Sequence, residues 1–479
     1  MEVSVYQVLK ESAERFPQHI AIADDYGCLR FKQLFEETEA LRLRLEAIGI
    51  CPSSGLGLMA RNSREFIMGL FAGLGCGATV MPISHQLKHR EFTALLEDAP
   101  LDFLISDGSG ISLNNVDSQS IRCGNKPFYV STLKAFTKPF VEHVPNAACV
   151  RFTSGTTGKA KGVVLSHQSV LDRTFAAQQA LNLTHSDTVV WTLPMAYHFV
   201  VSIIMYVRYA VTMVICRDDL PQTLIDSVRA HKGTLLYASP SHYRILAEDV
   251  SGLDMPSLRQ AISTSSGIHD HTARRFKERF GIPVSQVYGI IEVGLPAGNL
   301  HGTSDAITSI GQALPGFEVA ILDDSSQELP QGVIGQLAFR GPGMFDAYLS
   351  PALLRDEVLK NGWFLTGDLA FKDRNGVVTV AGRSKSLINV SGKKVFPEEV
   401  EAIINSHESI AISRVYCKEH PEMGEVVAAE LVAKNGSKPR EEDLYRFFNE
   451  RLSAHKVPRH IDFVPTITMT GTGKILRSS

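Results

Sequence analysis

The chain has 479 residues, of which 44% are hydrophobic and 21% are charged, and its formal net charge is −3. These values are typical of a globular protein with a well-filled core. The length corresponds to about three domain-sized units, or equally to a large core domain plus a small one. The charge balance gives no reason to expect nucleic acid or an anionic membrane as the main partner.

The cysteines and the N-terminal segment indicate the cellular compartment. Seven cysteines are scattered along the chain, and none are spaced as C-x-x-C. This argues for free thiols in a reducing compartment, and against a disulfide framework or a zinc knuckle. The first residues are amphipathic and carry acidic side chains early, so we expect no secretory signal. A cytoplasmic protein is predicted.

Two apolar stretches, residues 66–84 and 195–216, are nearly long enough to span a membrane. The first contains four glycines and Pro82, which favours a helix, a tight turn and a buried strand. The second would place Arg208 deep in hydrocarbon, at a cost of several kcal/mol. We therefore expect a buried α/β core, a soluble chain and no membrane span.

The first hundred residues alternate between helix and strand patterns. Residues 31–48 place Leu34, Leu41 and Leu45 on one helical face, and Gly49 follows as a stop. Strand-like and helix-like runs then alternate at 55–60, 63–75, 78–83, 87–99 and 102–107. This βα alternation predicts a doubly wound, largely parallel sheet.

The βα pattern resumes at residues 149–295 and then changes character. Residues 296–381 contain short β-like runs broken by Gly, Asp and Pro, which predicts an antiparallel or barrel-like insert. We predict an α/β fold with an N-terminal domain at 1–383, divided into subdomains at 1–148, 149–295 and 296–381. A hinge is predicted at 384–385, followed by a small mobile α+β domain at 386–479.

Residues 153–162, TSGTTGKAKG, follow an apolar strand-like run. Glycines allow the backbone to approach a ligand closely, and the hydroxyls and two lysines suit phosphate oxygens. The segment is not a Walker loop, because Thr153 and Ala160 stand where that motif needs a glycine and a hydroxyl. The alternative interpretation is a flexible polar surface loop.

This segment closely resembles the phosphate-loop signature of the adenylate-forming superfamily, which includes acyl- and aryl-CoA synthetases, adenylation domains of nonribosomal peptide synthetases and firefly luciferase. Other segments resemble the superfamily's remaining motifs in the same order: VYGIIEVG (287–294), GQLAFRGPGMFDAY (335–348), WFLTGDLA (363–370), GRSKSLINVSGKKVFPEEVE (382–401) and GTGKILR (471–477). The resemblance covers nearly the whole chain. It implies an enzyme that uses ATP to convert a carboxylic acid to an acyl-adenylate.

The resemblance also implies roles for individual residues. The residues expected to hold ATP or AMP are Thr153, Ser154, Gly155, Thr156, Thr157, Gly158, Lys159, Lys161, Tyr288, Gly289, Asp368 and Arg383. Within this set, Tyr288 would pack on adenine and Asp368 would accept the ribose hydroxyls. Glu292 and Thr157 would bind Mg²⁺. Lys474 would be the electrostatic catalyst that stabilises the charge developing in the transition state.

Each role has a simpler alternative: Asp368 as the cap of a turn, Glu292 as a surface acid, Tyr288 as core filler and Lys474 as a solvated charge. The chain also departs from the pattern at Ile291. The superfamily usually has Thr or Ser there, and its hydroxyl would contact the α-phosphate. The loss of that hydrogen bond could cost about 1.5–3 kcal/mol if nothing compensates. Lys385 fits the hinge position.

The segment 196–207, AYHFVVSIIMYV, is expected to line the acid pocket. Superfamily members that take amino acids carry an Asp there, and this segment has no carboxylate. Since an unpaired buried ammonium is heavily penalised, we predict an acid without an α-amine. His198 is expected near the substrate carboxylate or, equally, in a structural role. Phe199, Val200, Val201 and Gly267 are expected in the acyl pocket, although the two valines suit a helix core equally well.

The acceptor is expected to be a pantetheine thiol. INVSG (388–392) resembles the segment that lines the pantetheine tunnel in acyl-CoA synthetases, with Gly392 leaving room. The predicted enzyme is thus an acid–thiol ligase that uses ATP, Mg²⁺ and CoA. One alternative loads the phosphopantetheine of an acyl carrier protein in trans. An alternative of another class is a weakly active or inactive nucleotide-binding relative.

Overall fold

The computed structural model describes residues 4–52, 54–99, 101–111, 116–133, 144–153, 161–300, 308–390, 393–420, 424–434, 438–469 and 475. The helices are α1 Val5–Arg15, α2 Phe31–Ile48, α3 Arg64–Gly75, α4 His89–Asp98, α5 His167–Leu181, α6 Met195–His198, α7 Ile204–Arg208, α8 Pro221–His231, α9 Pro240–Ala247, α10 Asp270–Phe280, α11 Arg355–Val358, α12 Pro397–Asn405 and α13 Glu441–Arg451. A π-helical turn spans Phe199–Ile203 and a 3-10 turn spans Ser384–Ser386.

The first fifteen strands are β1 Ile20–Asp24, β2 Gly27–Arg30, β3 Gly55–Met59, β4 Thr79–Ile83, β5 Phe103–Ser106, β6 Ser118–Cys123, β7 Lys126–Thr132, β8 Ala147–Thr153, β9 Lys161–Ser166, β10 Thr188–Trp191, β11 Thr212–Ile215, β12 Leu235–Ala238, β13 Gln260–Ser263, β14 Val284–Ile290 and β15 Gly294–Asn299. The remaining strands are β16 Gln312–Ala313, β17 Glu318–Leu322, β18 Gly335–Arg340, β19 Ala347–Leu349, β20 Ala352–Leu354, β21 Phe364–Lys372, β22 Val378–Arg383, β23 Ile388–Val390, β24 Lys393–Val395, β25 Ile410–His420, β26 Gly424–Ala433 and β27 His460–Phe463.

Two large sheets form the centre of the molecule. Sheet I has the order β20-β19-β9-β8-β4-β3-β5-β7-β6, and sheet II has the order β16-β15-β14-β13-β12-β10-β11-β1-β2. The middle strands of both are parallel, and antiparallel strands complete the edges. One hydrophobic cluster draws on both sheets and includes the fully buried Phe71, Trp191 and Tyr206. This arrangement confirms the predicted α/β class.

The sheets do not follow the predicted division at residue 148. The N-terminal hairpin β1–β2 belongs to sheet II, where β1 pairs in parallel with β11. Strands β8 and β9 extend sheet I, where β8 pairs in parallel with β4. These pairings join strands that are distant in the chain, so the local pattern of hydrophobic residues does not reveal them.

The predicted β-rich segment 296–381 is also shared among sheets. Its centre is the four-stranded antiparallel sheet β17-β18-β21-β22, whereas β16 continues sheet II and β19–β20 continue sheet I. Beyond the 3-10 turn, β23 to β27 form a five-stranded sheet whose core includes Val400 and Ile404 of α12. This smaller α+β unit also contains Leu444 and Phe448 of α13.

The local signals agree with the elements that form. Helix α2 buries Leu34, Leu41 and Leu45 and ends at Gly49, whose φ of 104° is left-handed. Helix α3 begins at Ser63, whose hydroxyl accepts a hydrogen bond from the amide of Phe66. Residues 66–84 thus form a helix, a turn and strand β4, as predicted. Within the described ranges, no helix combines the length and apolar character that a membrane crossing requires.

Candidate active site

Strands β14, β21 and β22 bring three predicted nucleotide-binding residues together. Asp368 and Arg383 face each other across the β21–β22 pair, and Arg383 Nε lies 3.1 Å from Asp368 Oδ1. The Tyr288 hydroxyl donates a hydrogen bond of 2.5 Å to Asp368 Oδ2. A carboxylate has about four acceptor positions, so Asp368 can still accept hydrogen bonds from a ligand.

The surroundings of Tyr288 keep its hydroxyl protonated. Burial and the adjacent Asp368 carboxylate raise the pKa of the phenol well above its ordinary value. The hydroxyl therefore donates to Asp368 at all physiological pH values. The Tyr288 ring stacks on Phe339 with centroids 5.5 Å apart and an interplanar angle of 29°. This stack provides a flat apolar surface beside the buried carboxylate.

Glu292 lies four residues after Tyr288 and contacts strand β19, which pairs with β9, the strand that follows the threonine-rich loop. The Tyr348 hydroxyl on β19 donates to Glu292 Oε1 at 3.1 Å. The Lys161 ammonium, at the start of β9, lies 4.6 Å from the centroid of the Tyr348 ring. A chain of contacts therefore runs from the ribose-site candidate Asp368 to the edge of the predicted phosphate loop.

Arg173 on α5 holds this arrangement in place. Its Nε donates to the carbonyl of Gly343 at 2.8 Å, and its Nη1 donates to the carbonyl of Ile291 at 2.9 Å. Burial lowers the pKa of this guanidinium to about 10, so it remains charged at neutral pH. Gly343 has a φ of +66°, and a Cβ there would lie 2.5 Å from the backbone of Arg173 and Ser169. The close approach requires glycine.

Ile291 packs into the hydrophobic core and is 8% exposed. Its carbonyl is held by Arg173, so the backbone at this position keeps a defined place. The side chain supplies no hydroxyl to the site. Any donor that replaces the missing hydroxyl must therefore come from another element.

The acyl-pocket candidates form a second region. His198 ends α6, and its Nε2 lies 3.4 Å from the hydroxyl oxygen of Ser265. Phe199 and Val200 are buried in the core, whereas Val201 is half-buried. All three valine and phenylalanine positions lie in the π-helical turn, a feature that is frequent at functional sites. Gly267 is exposed in the loop before α10.

The other predicted residues lie in different places. Gly289 is exposed within β14, and Lys385 is exposed in the 3-10 turn that joins the large and small units. Six loop residues, Gly392 and Lys474 lie outside the described residues; the six are Ser154, Gly155, Thr156, Thr157, Gly158 and Lys159. The backbone of Thr153 ends β8, and its side chain also lies outside the description.

Two residues that make contacts at the site, Tyr348 and Arg173, were assigned no role from the sequence. Tyr348 is the last residue of the GQLAFRGPGMFDAY motif, so its position in the motif was an available signal. Arg173 lies in a helix between motifs, and its partners are more than a hundred residues away in the chain. No local pattern indicates that role.

Comparison with known proteins identifies the family. A family model described as AMP-binding enzyme matches residues 9–349, and the model of that family's C-terminal domain matches residues 399–474. The chain belongs to the AMP-binding enzyme family. The predicted membership of the adenylate-forming superfamily is thereby confirmed, and the protein is an AMP-forming ligase of this family.

Individual relatives span almost the full length of the chain. A fatty acid–[acyl-carrier-protein] ligase, ScoC from Streptomyces coeruleorubidus, is 26% identical over 99% of this chain and 95% of the relative. A 2-succinylbenzoate–CoA ligase from Bacillus licheniformis is 27% identical over 98% of both chains. ATP-bound MatB from Rhodopseudomonas palustris shares the fold, with a TM-score of 0.84, 21% identity and coverage of 99% and 97%.

Proposed function

We propose that this AMP-binding enzyme activates a carboxylic acid without an α-amine, fatty or aromatic, and transfers the acyl group to a pantetheine thiol, CoA in the first place. ATP provides the adenylyl group, and AMP and pyrophosphate are released. The observation that carries the proposal is the Tyr288–Asp368–Arg383 cluster, linked through Glu292 and Tyr348 to the edge of the phosphate loop.

The first reaction joins the acid to the nucleotide. A carboxylate oxygen forms a bond to the α-phosphorus, and the bond from that phosphorus to the bridging oxygen of pyrophosphate breaks. Asp368 would orient the ribose by accepting its hydroxyls, while Lys161 and the loop at 153–159 would hold the departing phosphates. Lys474 would stabilise the negative charge that builds at the α-phosphate. The thiol sulfur then forms a bond to the acyl carbon and loses its proton to solvent, the bond from that carbon to the phosphate oxygen breaks, and AMP leaves.

Glu292 is the first proposed ligand of Mg²⁺. Within the described ranges, no group of three or more His, Cys, Asp or Glu side chains is arranged to hold a metal ion by itself. Mg²⁺ is usually held by one or two carboxylates together with substrate phosphates, so a single glutamate beside the loop suffices. Tyr348 engages only Oε1 of this carboxylate. The ion would offset the charge of the phosphates, and Thr157 is its second proposed ligand.

The absence of a carboxylate in residues 196–207 supports an acid without an α-amine. His198 lies at the end of α6, close to Ser265, where it would approach the carboxylate of the acid. Phe199, Val200 and Val201 would shape the apolar end of the pocket. Gly267, exposed in the loop after β13, would leave room for the acid.

A second candidate function differs from this proposal only in the thiol that accepts the acyl group. The relative ScoC is named as a ligase that uses an acyl carrier protein, which favours loading a carrier in trans as the alternative. Gly392 and the neighbouring segment 388–392 are proposed to line the tunnel for the pantetheine arm, after the small domain turns about Lys385. Both acceptors present the same thiol on the same arm.

Acid-dependent exchange between ATP and labelled pyrophosphate tests the first reaction. We expect exchange with one class in a panel of fatty, aryl and amino acids, and none with the amino acids. Thioester formation is then measured with CoA and with a phosphopantetheinylated carrier as separate acceptors. Exchange confined to amino acids, or ATP binding without exchange for any acid, would contradict the proposal.

A further inference from the structure

Strand β8 carries a charged side chain in an otherwise apolar run. Arg151 follows Cys149 and Val150, which are buried, and it pairs with Val163 of β9. Its strand ends at Thr153, opposite Lys161, so the arginine lies two residues before the edge of the phosphate loop. A guanidinium in the middle of a buried strand is costly unless it has a partner.

The surroundings of Arg151 supply few partners. Its Nε is buried and donates to no partner among the described residues. The guanidinium carbon lies 5.5 Å from the ring centroid of Tyr197, the residue before His198. Burial lowers the pKa of Arg151, while the nearby charge of Glu292 opposes that shift.

Arg173 provides a contrast within the same core. Arg173 is fully buried, whereas Arg151 is half-buried, and the nitrogens of Arg173 donate to the carbonyls of Gly343 and Ile291, which is the behaviour of a structural arginine. Among the residues that the structure describes, the Arg151 Nε has no such backbone partner. Native proteins seldom leave a buried polar group without a partner, and a ligand is one way to complete such a site.

The position of Arg151 indicates which ligand group it would meet. On the nucleotide side, Val163 of β9 pairs with Arg151 on one edge and with Tyr348, whose hydroxyl donates to Glu292, on the other. On the acyl side, the guanidinium lies 5.5 Å from the ring of Tyr197. The α-phosphate must lie where these two sides meet, since the carboxylate attacks there. Arginine suits phosphate because its planar guanidinium offers several donors in a fixed geometry.

We propose that Arg151 binds the α-phosphate of the nucleotide and of the acyl-adenylate, and supplies the donor that Ile291 lacks. The inference rests on the proposed function for the location of the α-phosphate. The chain thus replaces a hydroxyl on the loop after β14 with a guanidinium on β8.

Calorimetric binding of AMP and of adenosine tests this assignment. In Arg151→Met, AMP affinity is expected to fall about 10- to 100-fold, the effect of losing a hydrogen bond to a charged group. Adenosine affinity should be unchanged, because adenosine has no phosphate. Arg151→Lys keeps the charge but not the fork of donors, so we expect an intermediate loss.

A double variant links the arginine to the missing hydroxyl. Ile291→Thr is expected to recover part of the AMP affinity that Arg151→Met loses. In the native protein, Ile291→Thr should raise AMP affinity by a smaller factor. Equal losses for AMP and adenosine would overturn the proposal, since they would indicate a structural role. A second outcome would also overturn it: Arg151→Met binds AMP as the native protein does but loses activity only with dicarboxylic acids. That result would assign the guanidinium to a second carboxylate of the acid.

These measurements are independent of acid activation. AMP and adenosine bind without any carboxylic acid, so the role of Arg151 can be confirmed even if no acid supports exchange. That result would leave the inference standing and contradict the proposed function. If a suitable acid supports exchange and Arg151→Met leaves AMP affinity unchanged, the proposed function stands and the inference about Arg151 is contradicted.

Discussion

The nucleotide side and the acyl side of the candidate site are built in different ways. On the nucleotide side, Tyr288, Asp368 and Arg383 make directed polar contacts at 2.5 and 3.1 Å. On the acyl side, Phe199 and Val200 pack into the core, and His198 lies 3.4 Å from the Ser265 hydroxyl and edge-on to the Trp191 ring. Directed contacts specify one ligand chemistry, whereas an apolar surface selects by shape and tolerates several acids.

The difference explains why members of one family share a nucleotide and differ in their acids. The ribose and phosphates require charges and donors at fixed positions, which appear in the sequence as motifs. Acid selectivity depends on the volumes of a few side chains, and small changes in volume move affinity by modest amounts. Substitutions on the two sides should therefore have effects of different kinds.

The largest effect is expected for Lys474→Ala on the nucleotide side. Removing a preorganised donor to the transition state should reduce exchange about 10²- to 10³-fold without changing the thermal unfolding temperature. Lys456, whose ammonium pairs with Glu399 in the same small domain, gives a matched control. Lys456→Ala should retain nearly full exchange. Native exchange rates in Lys474→Ala would show that the terminal lysine is only a solvated charge.

An intermediate effect is expected for Asp368→Asn. The variant loses the charge that accepts the ribose hydroxyls, so the affinities for AMP and adenosine should both fall about 10-fold or more. The loss should vanish with 2′,3′-dideoxy-AMP, which lacks both hydroxyls. Glu318→Gln, which breaks an exposed ion pair with Arg340, is the control and should bind as the native protein does. An equal loss for the dideoxy nucleotide would assign Asp368 to folding.

The smallest effect is expected for Val201→Ala on the acyl side. A change of two carbon atoms at a half-buried position should shift the preference between short and long acids by up to about 10-fold. The affinity for AMP should not change. Val250→Ala, at a position that is 97% exposed, should leave both properties unchanged. A loss of AMP affinity in Val201→Ala would show that the two sides are not separate.

Much of the fold could be predicted from local signals. Helix α2 begins and ends where its apolar face and Gly49 predict, and the glycine-rich stretch 66–84 forms a helix, a turn and a strand. Which strands join which sheet could not be predicted, because β1–β2 and β8–β9 cross between the expected subdomains. Strand pairing depends on tertiary contacts that have no periodicity in the sequence.

The site was predictable to a similar extent. Motifs identified Tyr288, Asp368 and Arg383, and the structure places these three in contact. Motifs did not identify Arg173, because its role is to bridge two backbone carbonyls that lie far away in the chain. Every residue has a backbone carbonyl, and the glycine that the close approach requires at position 343 does not itself indicate which residue approaches it.

The placement of the N-terminal hairpin has a consequence for synthesis on the ribosome. β1 finds its parallel neighbour in β11, whose residues Thr212–Ile215 are made almost two hundred residues later. During synthesis, the edge of β1 that pairs with β11 therefore stays unpaired while the strands of sheet I in the intervening chain are made. An exposed strand edge can pair with another polypeptide. The nascent chain thus passes through a stage at which the edge of β1 is open to other polypeptides, and that stage ends when β11 emerges.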